Sequence, residues 1–169
     1  MNDTPVSELL SSSKGFMAPG NLNDLLMTII NWIVELFSVD AAEISLWDDE
    51  KKVLILSVSN GFMEKYTGYT LLPGEGLAGK VYQLGEPIIV PDYHAMEGKI
   101  DEFEVIQPNL TCLVVPMKWQ SRTIGVLTLD ADPTIRTFSE DDIHRALLFA
   151  NVAAIAIHND RLNADLQKK

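Results

Sequence analysis

Residues 73–90 read PGEGLAGKVYQLGEPIIV, and this stretch decides which fold the chain can adopt. Gly74, Gly76 and Gly79 match the G-x-G-x-x-G fingerprint with which Rossmann folds cradle the pyrophosphate of a dinucleotide. That fold needs about 30 residues for each strand–helix–strand unit, whereas only residues 77–84 are left for the helix before the next break. We therefore interpret the three glycines as a tight turn that requires positive φ or close packing.

The hydrophobic periodicity on either side of this turn changes from helical to strand-like and back. Asn21 is a candidate N-cap for a first helix, and Ser139 with Asp142 three residues later caps a second long helix. Between them, alternating and apolar runs separated by turns predict hairpin strands. The predicted elements are helix 22–37, strands 42–47 and 53–58, an extended piece at 69–72, helix 77–84, strand 88–90, strands 110–117 and 123–129, and a last helix from Ser139 to Leu166.

The composition is that of an ordinary globular domain with a strong excess of acidic residues. The chain has 24 Asp and Glu against 13 Lys and Arg, for a formal net charge of -11. Nucleic acids and anionic membranes attract basic surfaces, so we expect neither as a partner. Cys112 is the single cysteine and provides no intramolecular disulfide. The sequence shows neither a signal peptide nor an apolar run of the about 20 residues that span a membrane, so we expect a cytoplasmic protein.

Five segments, taken in order, resemble the GAF domain family. Besides residues 73–90, they are LVVPM at 113–117, IGVLTL at 124–129, FSEDD at 138–142 and AAIAIHN at 153–159. The resemblance covers residues 21–162. Residues 1–20 are then expected to be a weakly ordered lead-in, and residues 163–169 the end of a C-terminal signalling helix.

The resemblance implies an α+β fold with a central antiparallel sheet of about six strands. The first and last helices pack on one face of this sheet, and a small-molecule pocket lies on the other face beneath the short helix and the variable loop 92–109. Members of the family pass the signal of a bound small molecule to a kinase, a cyclase or a transcriptional domain. We expect such an output domain in a longer parent chain, because the last helix reaches Lys169 without a stop signal.

The bilin and cyclic-nucleotide subtypes of the family are disfavoured by these residues. Bilin-binding members carry a linkage cysteine and usually Asp-Ile-Pro at the pocket loop, but Asp92 is followed by Tyr93 and His94, and the loop lacks cysteine. Cyclic-nucleotide members carry Asn-Lys upstream of Phe-x-x-x-Asp-Glu, but the chain has no Asn-Lys and Ile143 replaces the Glu. We interpret Asp142 as a capping carboxylate.

The histidines and the cysteine offer little for metal binding or catalysis. His94 is a candidate haem ligand or hydrogen-bond partner, next to the alternative of a surface histidine without function. His144 and His158 lie about 21 Å apart along one helix at 1.5 Å per residue, so they do not share a metal. The free methionine sulfoxide reductase subtype needs a cysteine pair, which Cys112 alone does not provide, so we expect no enzymatic activity. The ligand and any cofactor stay unassigned.

Strand alternation assigns one row of side chains in the strand 42–47 to the helices and the other row to the pocket. Ile44 and Leu46 are expected to face the helices. A mixture of aromatic and a few polar groups suits a small, mostly apolar ligand. The predicted ligand-binding residues are Glu43, Ser45 and Trp47 in this strand, Asp92, Tyr93, His94, Met96, Phe103 and Ile106 in the loop, and Val114 and Thr128 in the last two strands.

The last helix carries an apolar seam spaced like a coiled coil, at alternating intervals of four and three residues. A second stripe of this helix is free to cover the sheet, and the first helix carries two apolar stripes, so that two chains can form a four-helix bundle. The alternatives are that all stripes pack within one monomer, or that the fold has lost its ligand and only dimerises. The predicted homodimer interface is Leu148, Val152, Ile155, Asn159, Leu162 and Leu166.

Overall fold

The computed structural model describes residues 22–103 and 107–169 of the chain. The predicted lead-in 1–20, the cap at Asn21 and the site residue Ile106 lie outside the described residues. The elements in chain order are helix α1 (Leu22–Phe37), strands β1 (Ala41–Asp48) and β2 (Val53–Asn60), a 3₁₀ turn (Glu64–Tyr66), strand β3 (Thr70–Leu71), helix α2 (Gly76–Leu84), strands β4 (Ile88–Val90), β5 (Thr111–Trp119) and β6 (Arg122–Ala131), and helix α3 (Glu140–Gln167).

The six strands form one antiparallel sheet in the order β3-β2-β1-β6-β5-β4. Tight hairpins join β1 to β2 and β5 to β6, and β6 pairs with β1, so that β1 and β6 lie at the centre. The arrangement confirms the α+β fold with about six antiparallel strands. It also excludes a Rossmann arrangement for the residues described, because that fold requires a mostly parallel sheet.

The two faces of the sheet carry two separate clusters of buried side chains, because successive residues of a strand point to opposite faces. In β1, Ile44 belongs to the cluster formed with α1 and α3, whereas Trp47 packs on the other face. There its ring stacks on Tyr82 of α2, with ring centroids 4.4 Å apart. The central strands are therefore buried on both faces, which explains why β5 and β6 read as nearly continuous apolar runs.

The second apolar stripe predicted on α1 is largely buried within the chain. Ile29 is fully buried, and Leu22, Leu25 and Trp32 pack half-buried against the helix-side cluster. Leu36 is the exposed member, at 39%. A four-helix bundle would need this stripe of α1 to be free, but in the single chain most of it packs against the chain's own core. The bundle stays a prediction.

The outer stripe of α3, in contrast, presents apolar surface to solvent in the single chain. Leu148, Ile155, Leu162 and Leu166 are 46–60% exposed. Val152 is half-buried against the helix-side cluster, so it serves the core of its own chain as well. Despite the 28 residues of α3, no helix in the described ranges combines the length and the apolar character needed to cross a membrane.

A capping box and an ion pair fix the start of α3 and join it to the end of α1. Ser139 Oγ accepts from the Asp142 N–H at 3.4 Å, and the Ser139 N–H donates to Asp142 Oδ2 at 2.8 Å. The Arg136 guanidinium donates to both Asp142 oxygens, at 2.6 and 3.2 Å, and its Nε donates to the Phe37 carbonyl. Arg136 thus satisfies a carbonyl at the C-terminus of α1, whose last turn holds no basic residue. Asp142 is confirmed as a capping carboxylate.

Replacing Asp142 with Asn is expected to lower the free energy of unfolding by about 1–3 kcal/mol, because the capping box weakens and Arg136 loses its charged partner. Asp141→Asn is the matched control, since Asp141 is exposed in the same first turn of α3 and the change removes the same charge. Urea unfolding measures both variants. Equal stability of the two would contradict this account of the junction between α1 and α3.

Candidate ligand-binding cavity

A cavity of about 60 Å³ lies between the sheet and α2, on the face opposite the two long helices. Its volume exceeds the about 10–15 Å³ that one buried water needs. Mostly apolar walls with a few convergent polar groups are the usual form of a small-molecule site. The apolar lining is Phe62, Met63, Leu71, Leu77, Ala78, Tyr93, Ile100, Phe103, Leu110 and Val114, and the polar floor is Glu43, Cys112, Thr128 and Asp130.

A second, larger and more open depression of about 470 Å³ lies between the β1–β2 hairpin and the end of α3. It opens widely to solvent, and several of its lining side chains are charged, among them Asp49, Arg161 and Lys168. We place the candidate site in the smaller cavity, because enclosure removes more of a ligand's apolar surface from water and so provides more affinity.

The glycine turn and the variable loop together roof the cavity. Gly74 and Gly76 have φ values of +82° and +62°, and a Cβ on Gly76 would lie 2.8 Å from Ile100 Cγ1. A Cβ on Gly79 would lie 2.6 Å from the Leu72 carbonyl oxygen. The interpretation of the glycines as a turn with positive φ and close packing is confirmed. The turn allows α2 and Ile100 to close over the cavity.

Aromatic side chains of the loop hold the rest of the roof. The Tyr93 hydroxyl accepts a hydrogen bond from the Ile100 N–H at 3.3 Å, and burial raises the pKa of Tyr93 to about 12, so that it stays neutral. Phe103 packs between Tyr66 and Tyr69, with ring centroids 4.9 Å from each. These contacts tie the loop to the segment that precedes β3, so the loop part of the roof, unlike α2, is held by tertiary contacts and not by regular secondary structure.

Three neighbouring strands bring four polar side chains to the floor of the cavity. Glu43 in β1 pairs with Thr128 in β6, and Asp130, two residues further along β6, pairs with Cys112 in β5. Each is at most 8% exposed. Glu43 and Asp130 share a hydrogen bond, and the Cys112 thiol donates to Asp130. The second Glu43 oxygen, Oε2, has no hydrogen-bond partner.

Burial raises the pKa of both carboxyl groups, because a buried charge loses its hydration. The pKa of Asp130 rises to about 6. Burial and repulsion from Asp40 raise this pKa, whereas the hydrogen bonds from Cys112 and Glu43 lower it. Burial and the neighbouring Asp130 raise the pKa of Glu43 well above its usual value. Burial likewise raises the pKa of the Cys112 thiol. Because the two carboxyl groups are hydrogen-bonded to each other, they titrate as a pair, and both bind protons more tightly than free carboxyl groups do.

No positive charge offsets this acidic floor in the part of the chain that the structure describes. The ion pairs found there involve neither Glu43 nor Asp130. Across residues 22–103 and 107–169, no group of three or more His, Cys, Asp and Glu side chains is placed to hold a metal ion. The floor is thus arranged to accept hydrogen bonds from a donor.

Five of the predicted ligand-binding residues line the cavity, and they come from β1, β5, β6 and the loop that was expected to roof it. These residues are Glu43, Tyr93, Phe103, Val114 and Thr128. Their contact with a ligand stays a prediction.

Ser45 and Trp47 do not line the cavity, although both lie on its side of the sheet. They lie further along β1 than Glu43, beyond the edge of the cavity. Tyr82 of α2 covers the Trp47 ring, and the indole N–H donates to Asp49 Oδ1 at 2.9 Å. Strand alternation assigns a residue to a face and not to a position along the strand, so it places these two residues incorrectly.

Asp92, His94 and Met96 of the loop also lie outside the lining, contrary to the prediction. Asp92 bends back on its own loop, where Oδ1 accepts from the His94 N–H at 3.0 Å. The His94 Nε2 lies 3.1 Å from the Gln107 carbonyl oxygen. Met96 packs half-buried against the cavity-side cluster. His94 is therefore not placed to ligate a group bound in the cavity.

Asp130 and Cys112 are the most informative residues that the sequence analysis missed. Asp130 stands in Leu-Asp-Ala-Asp at the end of β6, where acidic residues indicate the start of a polar turn. Alternation is the signal that finds both, since each lies two residues from a predicted site residue, Thr128 or Val114, and so on the same face. The other missed lining residues are Phe62, Met63, Leu71, Leu77, Ala78, Ile100 and Leu110.

A model of the GAF domain family matches residues 20–158. Among similar solved structures, the GAF domain of a phosphoenolpyruvate-protein phosphotransferase from Coxiella burnetii has a TM-score of 0.81 at 23% identity, over 98% of this chain and 99% of that chain. Free methionine-R-sulfoxide reductase from Neisseria meningitidis has a TM-score of 0.76 at 19% identity, over 94% and 89%. A GAF domain/HD domain protein from Geobacter sulfurreducens has a TM-score of 0.74 at 15% identity, over 93% and 98%. No curated protein sequence matches the chain.

The buried carboxyl pair predicts that the ligand-free protein loses stability as the pH rises. Because Glu43 and Asp130 bind protons more tightly in the folded state, their contribution to stability is full below about pH 4 and falls as the pH rises. The contribution of Asp130 is lost as the pH rises through about 6. Between pH 5 and 7.5 we expect the free energy of unfolding to fall by on the order of 2 kcal/mol relative to the double variant Glu43→Gln, Asp130→Asn. Thermal and urea unfolding across this range measure the difference.

The control is Glu50→Gln with Asp165→Asn, which removes two exposed carboxyl groups and is expected to leave the pH dependence unchanged. A wild type and a Glu43→Gln, Asp130→Asn variant with parallel pH profiles would show that the pair is not protonated in the way described.

Proposed function

Because this chain belongs to the GAF domain family, we propose that it is a regulatory domain that binds a small molecule in the cavity beneath α2. The observation that carries the proposal is the partly enclosed cavity itself, with apolar walls and a polar floor drawn from three adjacent strands. This combination buries the body of a small ligand and fixes its orientation by a few polar contacts. The function is sensory, because another part of the protein responds to whether the cavity is occupied.

The solved relatives support a place for the domain in a larger signalling protein. They include GAF domains of a phosphotransferase and of a protein that also has an HD domain. By analogy we infer an output domain, such as a kinase, a cyclase or a transcriptional regulator, in a longer cytoplasmic parent protein. Because the analogy rests on fold alone, it supports the presence of an output domain in the parent protein but does not identify the reaction of that domain.

A regulatory role is favoured over catalysis by the state of the cysteine. The reductase from Neisseria meningitidis shows that the fold can also support an enzyme. In this chain the single cysteine, Cys112, is buried, its thiol donates a hydrogen bond to Asp130, and burial raises its pKa. A thiol held in its neutral form is a poor nucleophile. We therefore propose a non-catalytic domain.

The sheet provides a direct route from the cavity to the long helices. Thr128 and Asp130 of β6 lie on the cavity floor, and the residues that alternate with them, Leu127 and Leu129, are buried in the cluster with α1 and α3. Close-packed side chains transmit small displacements, because there is no free volume to absorb them. A ligand that shifts β6 is therefore expected to shift α3.

We propose that two copies of α3 meet along the seam of Leu148, Ile155, Leu162 and Leu166, with Val152 and Asn159 at its edge. The exposed apolar members support this interface, since surfaces of this kind in regular spacing mark interaction sites. The α1 stripe is largely buried, so the proposed contact is a two-helix seam and not a four-helix bundle. A domain that dimerises through this seam without any ligand is the second candidate function.

Occupancy of the cavity separates the two candidate functions. We expect native mass spectrometry of the freshly purified protein to show a bound small molecule, and the variant Ala78→Leu to lose it, because the larger side chain fills the cavity. Ala95→Leu is the control, since it makes the same change at an exposed position of the loop. A wild type that carries no added mass, and gains no thermal stability from any compound in a metabolite library, would favour the dimerisation module.

The seam predicts that Leu148→Glu with Ile155→Glu converts a dimer to a monomer, because four buried charges would face one another across the interface. Light scattering at high micromolar concentration measures the mass. The matched control is Leu84→Glu with Ile135→Glu, which introduces the same charges at exposed apolar positions that lie away from α3. A wild-type monomer, or a double seam variant that stays dimeric, is inconsistent with this interface.

A further inference from the structure

The floor of the cavity contains a polar atom that the protein itself leaves unpaired. Among the described side chains, Glu43 alone buries a carboxyl oxygen, Oε2, that has no hydrogen-bond partner. Glu43 is 6% exposed and lines the cavity. Buried polar atoms are nearly always paired because an unpaired one costs its full desolvation free energy, so this oxygen indicates a partner that is not part of the chain.

No positive charge of the described residues balances the negative charge of the same floor. Asp130 is 3% exposed and lies hydrogen-bonded to Glu43, and the charge of Asp40 adds repulsion from the start of β1. No Lys, Arg or His in residues 22–103 or 107–169 forms an ion pair with either carboxyl group. An unpaired buried charge is strongly unfavourable. A cation in the cavity would therefore bind with a higher affinity than its apolar contacts alone provide.

We propose that the ligand carries an ammonium group, which binds between Glu43 and Asp130, and an apolar body, which fills the cavity beneath α2. The inference rests on the proposed function, because it names the class of ligand for the same cavity. An ammonium group has three N–H donors and no acceptor. Glu43 Oε2 and the Asp130 carboxylate accept two of them, and the Thr128 hydroxyl on the same floor is placed to accept the third.

The walls of the cavity argue for an organic cation over a metal ion. Calcium needs six to eight oxygen ligands and magnesium a nearly octahedral set, whereas the walls around this floor are hydrocarbon, including Leu77, Ile100 and Leu110. No metal-binding cluster of His, Cys, Asp and Glu occurs in the ranges that the structure describes. An anionic ligand is disfavoured, because it would meet the buried negative charge of Asp130.

The pH dependence of binding follows from the same geometry. Ammonium affinity is expected to rise between pH 5 and 7, because the cation binds best once Asp130 has lost its proton. The other titratable groups that face the pair are Asp40 before β1, Cys112 in β5 and Tyr93 in the loop. The thiol and the phenol stay neutral over this range, so the carboxyl pair sets the profile.

Three probes with one carbon skeleton test the proposal on the full chain after exhaustive dialysis. They are 3-methylbutylammonium, 3-methylbutan-1-ol and 3-methylbutanoate, which are cationic, neutral and anionic. Isothermal titration calorimetry and thermal unfolding at pH 7.5 are expected to show that the ammonium binds at least about tenfold more tightly than the alcohol, since hydrogen bonds to charged groups exceed neutral ones. The carboxylate is expected to bind most weakly.

Two variants connect the selectivity to the carboxyl pair. Glu43→Gln and Asp130→Asn are each expected to reduce the preference for ammonium over alcohol by about tenfold while alcohol binding persists. The ratio of the two affinities is the readout, because a merely structural loss would weaken both probes together. Glu50→Gln removes an exposed carboxylate and is expected to leave the ratio unchanged.

The outcomes separate this inference from the proposed function. Alcohol binding as tight as ammonium binding, or a preference that survives in both variants, overturns the ammonium proposal and leaves the cavity as a ligand site. A neutral or anionic molecule that co-purifies in the cavity does the same. Failure of all three probes overturns the ammonium proposal. If the wild type also carries no co-purified mass, the proposed function fails with it.

Discussion

Burial of β1 and β6 on both faces is the constraint on which the rest of the structure depends. Ile44, Leu127 and Leu129 pack beneath the long helices, while Glu43 and Thr128 form the cavity floor on the reverse side. A slip of one residue in the pairing of these strands would exchange the two rows, so that a carboxyl group entered the apolar core. The cost of that exchange fixes the register. Fold and site are therefore specified by the same alternation of side chains.

Local patterns in the sequence predict the elements well, because each element here is specified by its own residues. The capping box of Ser139 and Asp142 and the glycine turn before α2 are examples. The site is predicted less completely. Alternation finds Glu43 and Thr128 but does not tell where along β1 the cavity ends. The direction of the loop depends on contacts that are distant in sequence, such as that between His94 and Gln107, and no local pattern encodes them.

The two long helices show why apolar stripes are ambiguous in a sequence. On α1, Ile29 and Trp32 are covered by the chain's own core, although their spacing resembles an interface. On α3, Leu148 and Ile155 have the same type of spacing and are left exposed. The difference lies in which neighbours the fold brings alongside each helix. Periodicity shows that a stripe needs a partner, and the tertiary structure shows whether the chain provides it.

Under the proposed function, the unfavourable electrostatics of the cavity floor are the means by which a ligand would act on the helices. A ligand shifts a conformational equilibrium only by the difference in its affinity for the two states. A neutral ligand in an apolar pocket gains similar contacts in either state, whereas the free energy of a cation between two buried carboxyl groups depends steeply on their distances. Glu43 and Asp130 lie on adjacent strands whose reverse sides pack against α1 and α3. A small change in their separation would therefore alter both the affinity of the proposed cation and the packing of the helices, because the pair is buried between the cavity and the helix-side cluster.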